Sequence, residues 1–197
     1  KVRQNVLKNR QVGISTAIQA FCFYLALHVP GVEALVTAHR ADSGDAVFRR
    51  TKTFENRCPV KMPVERNNKK EIQWKPPHSS ALRVGVAGDD ADFGRSETRH
   101  VYHASEAALY NERGLDAYAN VMASIPNQPG TFVWRETTAK GQNWFYECWN
   151  APELEGVENF FTGWLDDPTC RLPSIALDDP CWAKIPKSWL TDEPRLR

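Results

Sequence analysis

The positions of apolar and polar residues predict strands and helices in turn along this chain. Short, dense apolar runs favour strands, whereas apolar positions spaced by three and four residues favour helices. Strands are predicted at residues 4–7, 33–38, 71–74, 81–87, 99–104, 131–137 and 159–164. Helices are predicted at residues 15–29, 42–56, 115–124 and 142–150. Serine, threonine and aspartate precede the first two helices and predict side-chain caps, at Ser15 or Thr16 and at Asp42 or Ser43.

The order of these elements predicts an α/β fold. Strands that alternate with helices at this spacing favour a mostly parallel sheet covered by helices on both faces. Residues 58–70 and 88–94 are predicted to be loops, and periodicity is lost after residue 166. The length of 197 residues suits one domain with a substantial core. We therefore expect one domain over residues 1–167 and an irregular segment over residues 168–197.

Composition and charge narrow the class of protein. A hydrophobic content of 42% with 25% charged residues is typical of a folded globular domain. Five cysteines without a CxxC pair, and the lack of a secretory leader, favour reduced thiols in the cytoplasm. The net charge of +1 combines +8 over residues 1–75 (14 Lys and Arg against 6 Asp and Glu) with −7 over residues 76–197 (11 against 18). A basic face built from the first third is therefore possible.

The polar segment of residues 8–16, KNRQVGIST, is the first candidate site. A loop between a strand and a helix offers backbone N–H groups and the helix N-terminus to a phosphate. The segment matches the end of the pattern GxxxxGK[ST] at Gly13 and Ser15, although Ile14 stands where lysine is usual. Lys8 lies across the loop and would supply the missing charge. A polar turn with a serine cap and no ligand explains the same residues.

Two other kinds of site, both of which depend on histidines, have less support in the sequence than a phosphate loop. Gly13 and Ser15 also resemble a degraded G-x-S-x-G nucleophile elbow, which predicts a serine hydrolase with Ser15 as nucleophile. Because His103 is the last histidine, the acid and histidine of such a triad would be cramped. His100 and His103 have the spacing of a metal pair, but residues i and i+3 of a strand point to opposite faces. Two core or surface histidines are the favoured interpretation.

Two further strand ends carry polar candidates. Glu106 follows a predicted strand, where a carboxylate can hold Mg²⁺ through water or polarise an attacking water. Thr137 and Thr138 end the next strand, where their hydroxyls would face a γ-phosphate and report its presence. Because the carboxyl ends of parallel strands meet at one edge of a sheet, we expect loop, acid and hydroxyls to lie together.

These three segments resemble one family, the large terminase subunit of tailed bacteriophages, the ATPase motor that packages DNA into the capsid. KNRQVGIST resembles its deviant Walker A motif, in which some members move the lysine upstream, to the place of Lys8. HASEAALY resembles the end of its Walker B motif and puts Glu106 on the catalytic glutamate. WRETTAKG resembles the stretch that ends in its coupling motif, at Thr137 and Thr138. The resemblance spans roughly residues 7–167.

The resemblance implies a P-loop NTPase domain of the RecA-like, ASCE class that binds ATP and Mg²⁺ and hydrolyses ATP. It implies a nucleotide-binding set made of Lys8, Gln11, Gly13, Ile14, Ser15 and Thr16. Arg10 would act as a sensor or finger in cis, and Glu106 would activate water. Ser15 would hold Mg²⁺, and Glu106 would hold it through water. Thr137 and Thr138 would couple hydrolysis to motion.

The same resemblance implies partners and a location. These are double-stranded DNA, the portal protein, the small terminase subunit and further copies in a homo-oligomeric ring, in the host cell cytoplasm and with no membrane. A neighbouring subunit would contribute an arginine, for which Arg95 and Arg99 are candidates. The basic residues 61–75 are a candidate DNA or subunit contact, although such stretches are usually solvated loops. Late tryptophans are expected to pack a proline-rich tail onto the core rather than to stack on bases.

The family also implies segments outside the motifs. Its adenine-binding segment precedes the Walker A strand, and only seven residues precede Lys8. Its second domain is an RNase H-like nuclease with acidic metal ligands, whereas the late acids here are interpreted as loop or hinge. Those acids are Asp166, Asp167, Asp178, Asp179, Asp192 and Glu193. A nucleotide-binding or assembly module without turnover, such as a prophage remnant, is the alternative from another functional class.

Overall fold

The computed structural model describes residues 1–88, 98–163 and 166 of the chain. The strands are β1 (Val2–Lys8), β2 (Glu33–Ala38), β3 (Val64–Asn67), β4 (Glu71–Trp74), β5 (Ala81–Val86), β6 (Val101–Ser105), β7 (Phe132–Thr137) and β8 (Glu158–Thr162). The helices are α1 (Ile14–His28), α2 (Ala41–Arg57), α3 (Glu112–Ala123) and α4 (Trp144–Asn150), with short 3₁₀ turns at Ala107–Leu109 and Pro152–Glu155.

One mixed sheet contains all eight of these strands, in the order β3-β4-β5-β2-β6-β7-β1-β8. The five strands β5, β2, β6, β7 and β1 run parallel, and β3 and β4 join one side as antiparallel strands. The predicted α/β fold with a mostly parallel sheet is therefore confirmed. Parallel strands need crossover helices, and these occupy the segments between β1, β2, β6 and β7.

Helices cover both faces of the sheet, and each face has its own core. On one face, apolar residues of α1 and α2 pack against β2, β5 and β6, with Cys22, Val36 and Val101 fully buried. On the other face, residues of α3 and α4 pack against β2, β6 and β7. Both faces of the central strands are buried, so their sequences read as apolar runs instead of strict alternation.

The predicted side-chain caps are wrong. The chain enters α1 through Gly13 in a left-handed conformation with φ +79°, so Ser15 and Thr16 fall inside the first turn. The residue that precedes α2 is Arg40, and its side chain makes no capping bond. In both helices the residue before the first turn makes no side-chain capping bond. The preference of serine, threonine and aspartate for the cap position therefore does not predict where these helices begin.

The predicted loop of residues 58–70 contains a strand. β3 pairs with β4 as an antiparallel hairpin at the edge of the sheet, with a register shift between Val64 and Arg66. Its residues are mostly exposed, so hydrophobic alternation gives no signal there. The strand forms because its backbone hydrogen-bonds to β4. The other predicted elements are found with ends shifted by a few residues.

Two of the late tryptophans pack against the core, and their predicted packing against a proline-rich tail stays a prediction. The Trp144 ring lies 5.2 Å from that of Tyr118 on α3, and Trp149 stacks 6.2 Å from Phe145. Trp164, Trp182 and Trp189 lie outside the described residues. Cys22, Cys58 and Cys148 are free thiols, whereas Cys170 and Cys181 also lie outside.

Cα proximity divides the chain between Phe161 and Thr162. The predicted irregular segment of residues 168–197 lies outside the described residues, as does most of the predicted loop of residues 88–94. No helix within the described ranges combines the length and the apolar character needed to cross a bilayer.

Candidate functional site

The three polar segments meet at the carboxyl edge of the sheet. β7 lies between β6 and β1, with Ser105 opposite Glu136 and Leu7 opposite Thr137. The loop after β1, the residue after β6 and the end of β7 are therefore neighbours. The expectation that they share one edge is confirmed. β7, the strand that ends at Thr137, lies between the other two.

Lys8 ends β1 with a nearly buried ammonium group, its side chain being 6% exposed. Its Nζ lies 3.1 Å from Glu106 Oε1 and 3.2 Å from Glu136 Oε2. Burial alone would lower the pKa of Lys8, but the two carboxylates outweigh it and raise the pKa. The lysine is therefore held as a cation at the start of the predicted phosphate loop.

Glu106 links Lys8 to the end of β7. It follows β6 in a left-handed conformation with φ +53°, which is uncommon for a residue with a side chain. Its Oε1 accepts from Lys8, and its Oε2 lies 3.4 Å from the backbone N–H of Thr138. The side chain is 28% exposed. A carboxylate at a strand end, partly open to solvent, can reach a ligand there.

Glu136 is a site residue that the sequence analysis missed. It lies on β7, is fully buried, and its Oε1 accepts a hydrogen bond of 2.7 Å from the Ser105 hydroxyl. His103 Nε2 lies 3.3 Å from the same oxygen. Burial would raise the pKa of Glu136, but His103, Lys8 and Ser105 lower it to about 2. A charged residue inside a central strand could have been recognised, since a buried charge requires partners.

The loop before α1 is suited to an anion. Gln11 has φ +67° and Gly13 has φ +79°, and a Cβ added to Gly13 would meet no atom within 4 Å. Gly13 brings no side chain to the first-turn N–H groups of α1, so these remain for a ligand. Together with the positive end of the helix and the Lys8 ammonium, they fit the phosphates of a nucleotide.

The remaining predicted loop residues have different surroundings. The Ile14 side chain packs against the core, Ser15 is half-buried in the first turn, and Arg10 is exposed. Thr16 Oγ1 lies 3.5 Å from Nη1 of Arg50, an arginine on α2 that the sequence analysis also missed. Burial lowers the pKa of Arg50, partly offset by the negative charge of Glu136. A second cation thus approaches the loop from α2.

The two threonines at the end of β7 differ. Thr137 is fully buried, and its hydroxyl donates to the Thr138 carbonyl at 3.0 Å. Thr138 is half-buried and approaches Glu106 through its backbone N–H. The structure therefore connects the end of β7 to Glu106 through the backbone. The coupling role of both threonines stays a prediction.

The donor set suits a metal that arrives with a nucleotide. Within residues 1–88, 98–163 and 166, no three His, Cys, Asp or Glu side chains form a metal-binding cluster. Mg²⁺ bound with nucleotides usually takes only one or two protein oxygens, besides phosphates and water. A hydroxyl at Ser15 and a carboxylate at Glu106 are ligands of that kind. His100 Nδ1 accepts from the Glu33 backbone, away from His103.

Arg99 is not available to a neighbouring subunit. It is 4% exposed, and its Nη1 lies 3.2 Å from Glu33 Oε2 at the amino end of the sheet. Its suggested role in a neighbour's site is therefore wrong, and Arg95 lies outside the described residues.

A cavity of about 600 Å³ lies further along the carboxyl edge, lined in part by Arg40 and Arg113. It does not include Lys8 or Glu106.

Solved structures of phage large terminases share this fold. A point mutant of the ATPase domain of the Thermus phage P74-26 large terminase has a TM-score of 0.60 at 17% identity, covering 83% of this chain and 77% of that one. The large terminase of a thermophilic bacteriophage in complex with ADP has a TM-score of 0.61 at 11% identity, covering 83% and 40%. The same thermophilic-phage protein in complex with ATP-gamma-S has a TM-score of 0.54 at 11% identity, covering 82% and 39%.

These likenesses concern the fold. The chain shares the mixed α/β fold of these phage large terminase ATPase domains. It spans about 40% of the length of the large terminase that was crystallised with ADP. No protein-family model matches the chain, and no curated protein does so.

Proposed function

We propose that this chain is an ATP-hydrolysing motor domain of a phage large terminase, which drives DNA into the procapsid. The observation that carries the proposal is the contact between Lys8 and Glu106, which are 98 residues apart in sequence. It joins a phosphate loop and a strand-end carboxylate in the fold of terminase ATPase domains. The thermophilic-phage terminase structures with ADP and ATP-gamma-S support a nucleotide as the ligand.

The residues of the loop would bind the triphosphate. The first-turn N–H groups of α1 and the Lys8 ammonium neutralise the β- and γ-phosphates. Ser15, and Glu106 through water, would hold Mg²⁺, which would neutralise negative charge that develops on the phosphates. Arg10, which is exposed in the loop, would contact the γ-phosphate from solvent. Arg50 supports Thr16 from α2.

Glu106 would activate the attacking water. In the structure its carboxylate is paired with Lys8. When phosphate oxygens take over the lysine, the carboxylate is released to accept a proton from water in line with the γ-phosphate. Its second oxygen lies near the backbone N–H of Thr138, so movement of Glu106 would change the contacts at the end of β7. This gives the predicted coupling by Thr137 and Thr138 a physical route.

The partners of the motor are part of the same proposal. They are double-stranded DNA, the portal protein, the small terminase subunit and copies of this chain in a ring. The β3–β4 hairpin and its flanks support a contact with DNA phosphates, because their cations are exposed. These are Lys61, Arg66, Lys69, Lys70 and Lys75.

Two alternatives make different predictions. A module that binds nucleotide without turnover would use the same loop and differ only in catalysis. A serine hydrolase would need a histidine at Ser15, yet the buried His103 contacts Glu136 instead. Labelling of Ser15 by a fluorophosphonate probe would revive that alternative.

The test is ATP turnover in wild type and Glu106→Gln, with nucleotide binding measured on both. We expect both proteins to bind ATP and only wild type to release phosphate at an appreciable rate, a loss of roughly a hundredfold or more in the variant. Equal, slow phosphate release with intact binding would leave the non-hydrolysing module. Failure of wild type to bind ATP would remove the nucleotide site altogether.

A further inference from the structure

We propose that Glu136 is a positioning residue: it anchors the Lys8 ammonium while the phosphates of a bound nucleotide replace Glu106 on that same group. This inference rests on the proposed nucleotide site and adds a residue that no motif of the sequence indicates. It assigns different tasks to the two carboxylates that contact Lys8. Glu136 stays on Lys8, and Glu106 is exchanged for a phosphate oxygen.

The two carboxylates differ in access to solvent. Both lie within hydrogen-bond distance of Lys8 Nζ, at 3.1 Å for Glu106 and 3.2 Å for Glu136. The Glu106 side chain is 28% exposed, whereas that of Glu136 has no exposed surface. A phosphate that arrives from solvent can therefore displace Glu106 and has no path to displace Glu136.

The two carboxylates also differ in how firmly they are held. Besides Lys8, Glu136 contacts the Ser105 hydroxyl at 2.7 Å and His103 Nε2 at 3.3 Å, both from β6. Separation of Glu136 from Lys8 would leave a buried carboxylate without its cation, which is strongly unfavourable. Within the part of the chain that the structure describes, the Glu106 side chain has only the backbone N–H of Thr138 as a second contact, at 3.4 Å, and can move into water. The ion pair of Lys8 and Glu136 is thus the fixed one.

The geometry of an ammonium group allows Lys8 to contact Glu136 and a phosphate at the same time. Lys8 has three N–H donors, and each carboxylate needs one. Lys8 donates a hydrogen bond to Glu106 and forms an ion pair with Glu136. With that ion pair kept, the exchange of Glu106 for a phosphate oxygen leaves the nitrogen where it is. Without the anchor, Lys8 would follow whichever negative group it pairs with, and Glu106 would less often be free to orient water.

The first test separates binding from catalysis in the full chain. For Glu136→Gln we expect the Kd for ATP-gamma-S to stay within about threefold of wild type, because loss of the anchor is offset by loss of a nearby negative charge. We expect kcat for ATP to fall at least about tenfold, since Lys8 without its anchor moves with its partner and Glu106 is less often free to orient water. An unchanged kcat, or equal losses in affinity and kcat, would overturn the proposal.

A matched control is Glu71→Gln. Glu71 is a buried carboxylate that accepts from Arg83 Nε at 2.8 Å, remote from Lys8. Its loss is expected to lower Tm while Kd and kcat stay at the wild-type values. If this control reproduces the split between kcat and Kd, the split reflects general destabilisation and the anchoring role fails.

The second test needs no nucleotide, so it separates failure of the anchor from failure of the proposed function. Double-mutant cycles in Tm pair Lys8→Met with Glu136→Gln and with Glu106→Gln. We expect clearly stronger coupling of Lys8 to Glu136 than to Glu106. Equal coupling, or stronger coupling to Glu106, would overturn the anchor even if the chain hydrolyses ATP. If the chain binds no nucleotide, the proposed function fails while the cycle still decides which carboxylate holds Lys8.

Discussion

The sheet carries two clusters of charged side chains, and they are built differently. The amino-end cluster consists of Glu33, Glu71, Arg83 and Arg99. The carboxyl-end cluster consists of Lys8, Glu106 and Glu136. In the first, Arg83 contacts both glutamates, at 2.5 Å and 2.8 Å, and Arg99 also contacts Glu33. In the second, one ammonium serves two carboxylates.

This difference bears on the proposed function. In the amino-end cluster the planar guanidinium groups of Arg83 and Arg99 hold Glu33 and Glu71 and fix the strands that carry them. In the carboxyl-end cluster Lys8 faces two carboxylates, and His103 also lies 3.3 Å from the buried Glu136. Glu106 is partly open to solvent, so under the proposed function it is the carboxylate that an arriving ligand would reach.

The largest expected effects come from removing the central cation of each cluster. Lys8→Met leaves two carboxylates without their lysine and should lower the free energy of unfolding by about 3 kcal/mol. Arg83→Met should cost about 2 kcal/mol, because Arg99 still pairs with Glu33. Urea unfolding measures both losses.

Titration with ATP then distinguishes the clusters. We expect Lys8→Met to weaken ATP binding at least about a hundredfold and Arg83→Met to leave ATP binding intact. Equal affinity in both variants would mean that the clusters do not differ in function.

The next effect is a pH dependence of stability from Glu136. Its pKa is lowered from 4.5 to about 2 in the folded chain, so it contributes stability that is fully present above pH 4.5 and is lost as the pH falls towards 2. The contribution is about 3 kcal/mol at neutral pH, from 1.36 kcal/mol per unit. Urea unfolding of wild type and Glu136→Gln between pH 2 and 6 measures it, with Glu71→Gln as control. A wild-type slope retained in Glu136→Gln would show that this carboxylate is not the group responsible.

The smallest effect concerns two glycines with the same backbone conformation. Gly13 (φ +79°) opens α1 at the phosphate loop, and Gly31 (φ +72°) follows its other end; a Cβ on either would meet no atom within 4 Å. Alanine at each position should therefore cost about 1 kcal/mol of stability from backbone strain alone. Only Gly13→Ala should also weaken ATP binding, by several-fold, as followed by calorimetry. Similar binding losses in both variants would show that destabilisation, and not the loop, controls affinity.

The fold can be predicted from the sequence to the extent that apolar periodicity determines it. The observed ends of the buried strands β2 and β4 match the predicted ones, because short apolar runs between turn signals have one interpretation. The prediction misses β3 because its exposed side chains carry no pattern, and its pairing with β4 arises from the tertiary structure. The caps are missed for a related reason, since Gly13 admits the chain to α1 by its backbone conformation alone.

The candidate site can be predicted where motifs exist and not where partners come from other elements. Lys8 and Glu106 follow from strand ends that a parallel sheet brings to one edge. Glu136 and Arg50 depend on which faces of β7 and α2 turn towards the loop, and the sequence alone leaves that open. The burial of Arg99 could likewise not be read from its position before β6, because its carboxylate partner lies on another strand.

The most direct test of the account is the location of a bound nucleotide. A crystal structure of the chain with ATP-gamma-S and Mg²⁺ should place the γ-phosphate within about 3 Å of Lys8 Nζ and against the first turn of α1. Glu106 should have left Lys8, while Glu136 keeps its contact. A nucleotide in the cavity beside Arg40 and Arg113, with Lys8 still paired to Glu106, would contradict the account.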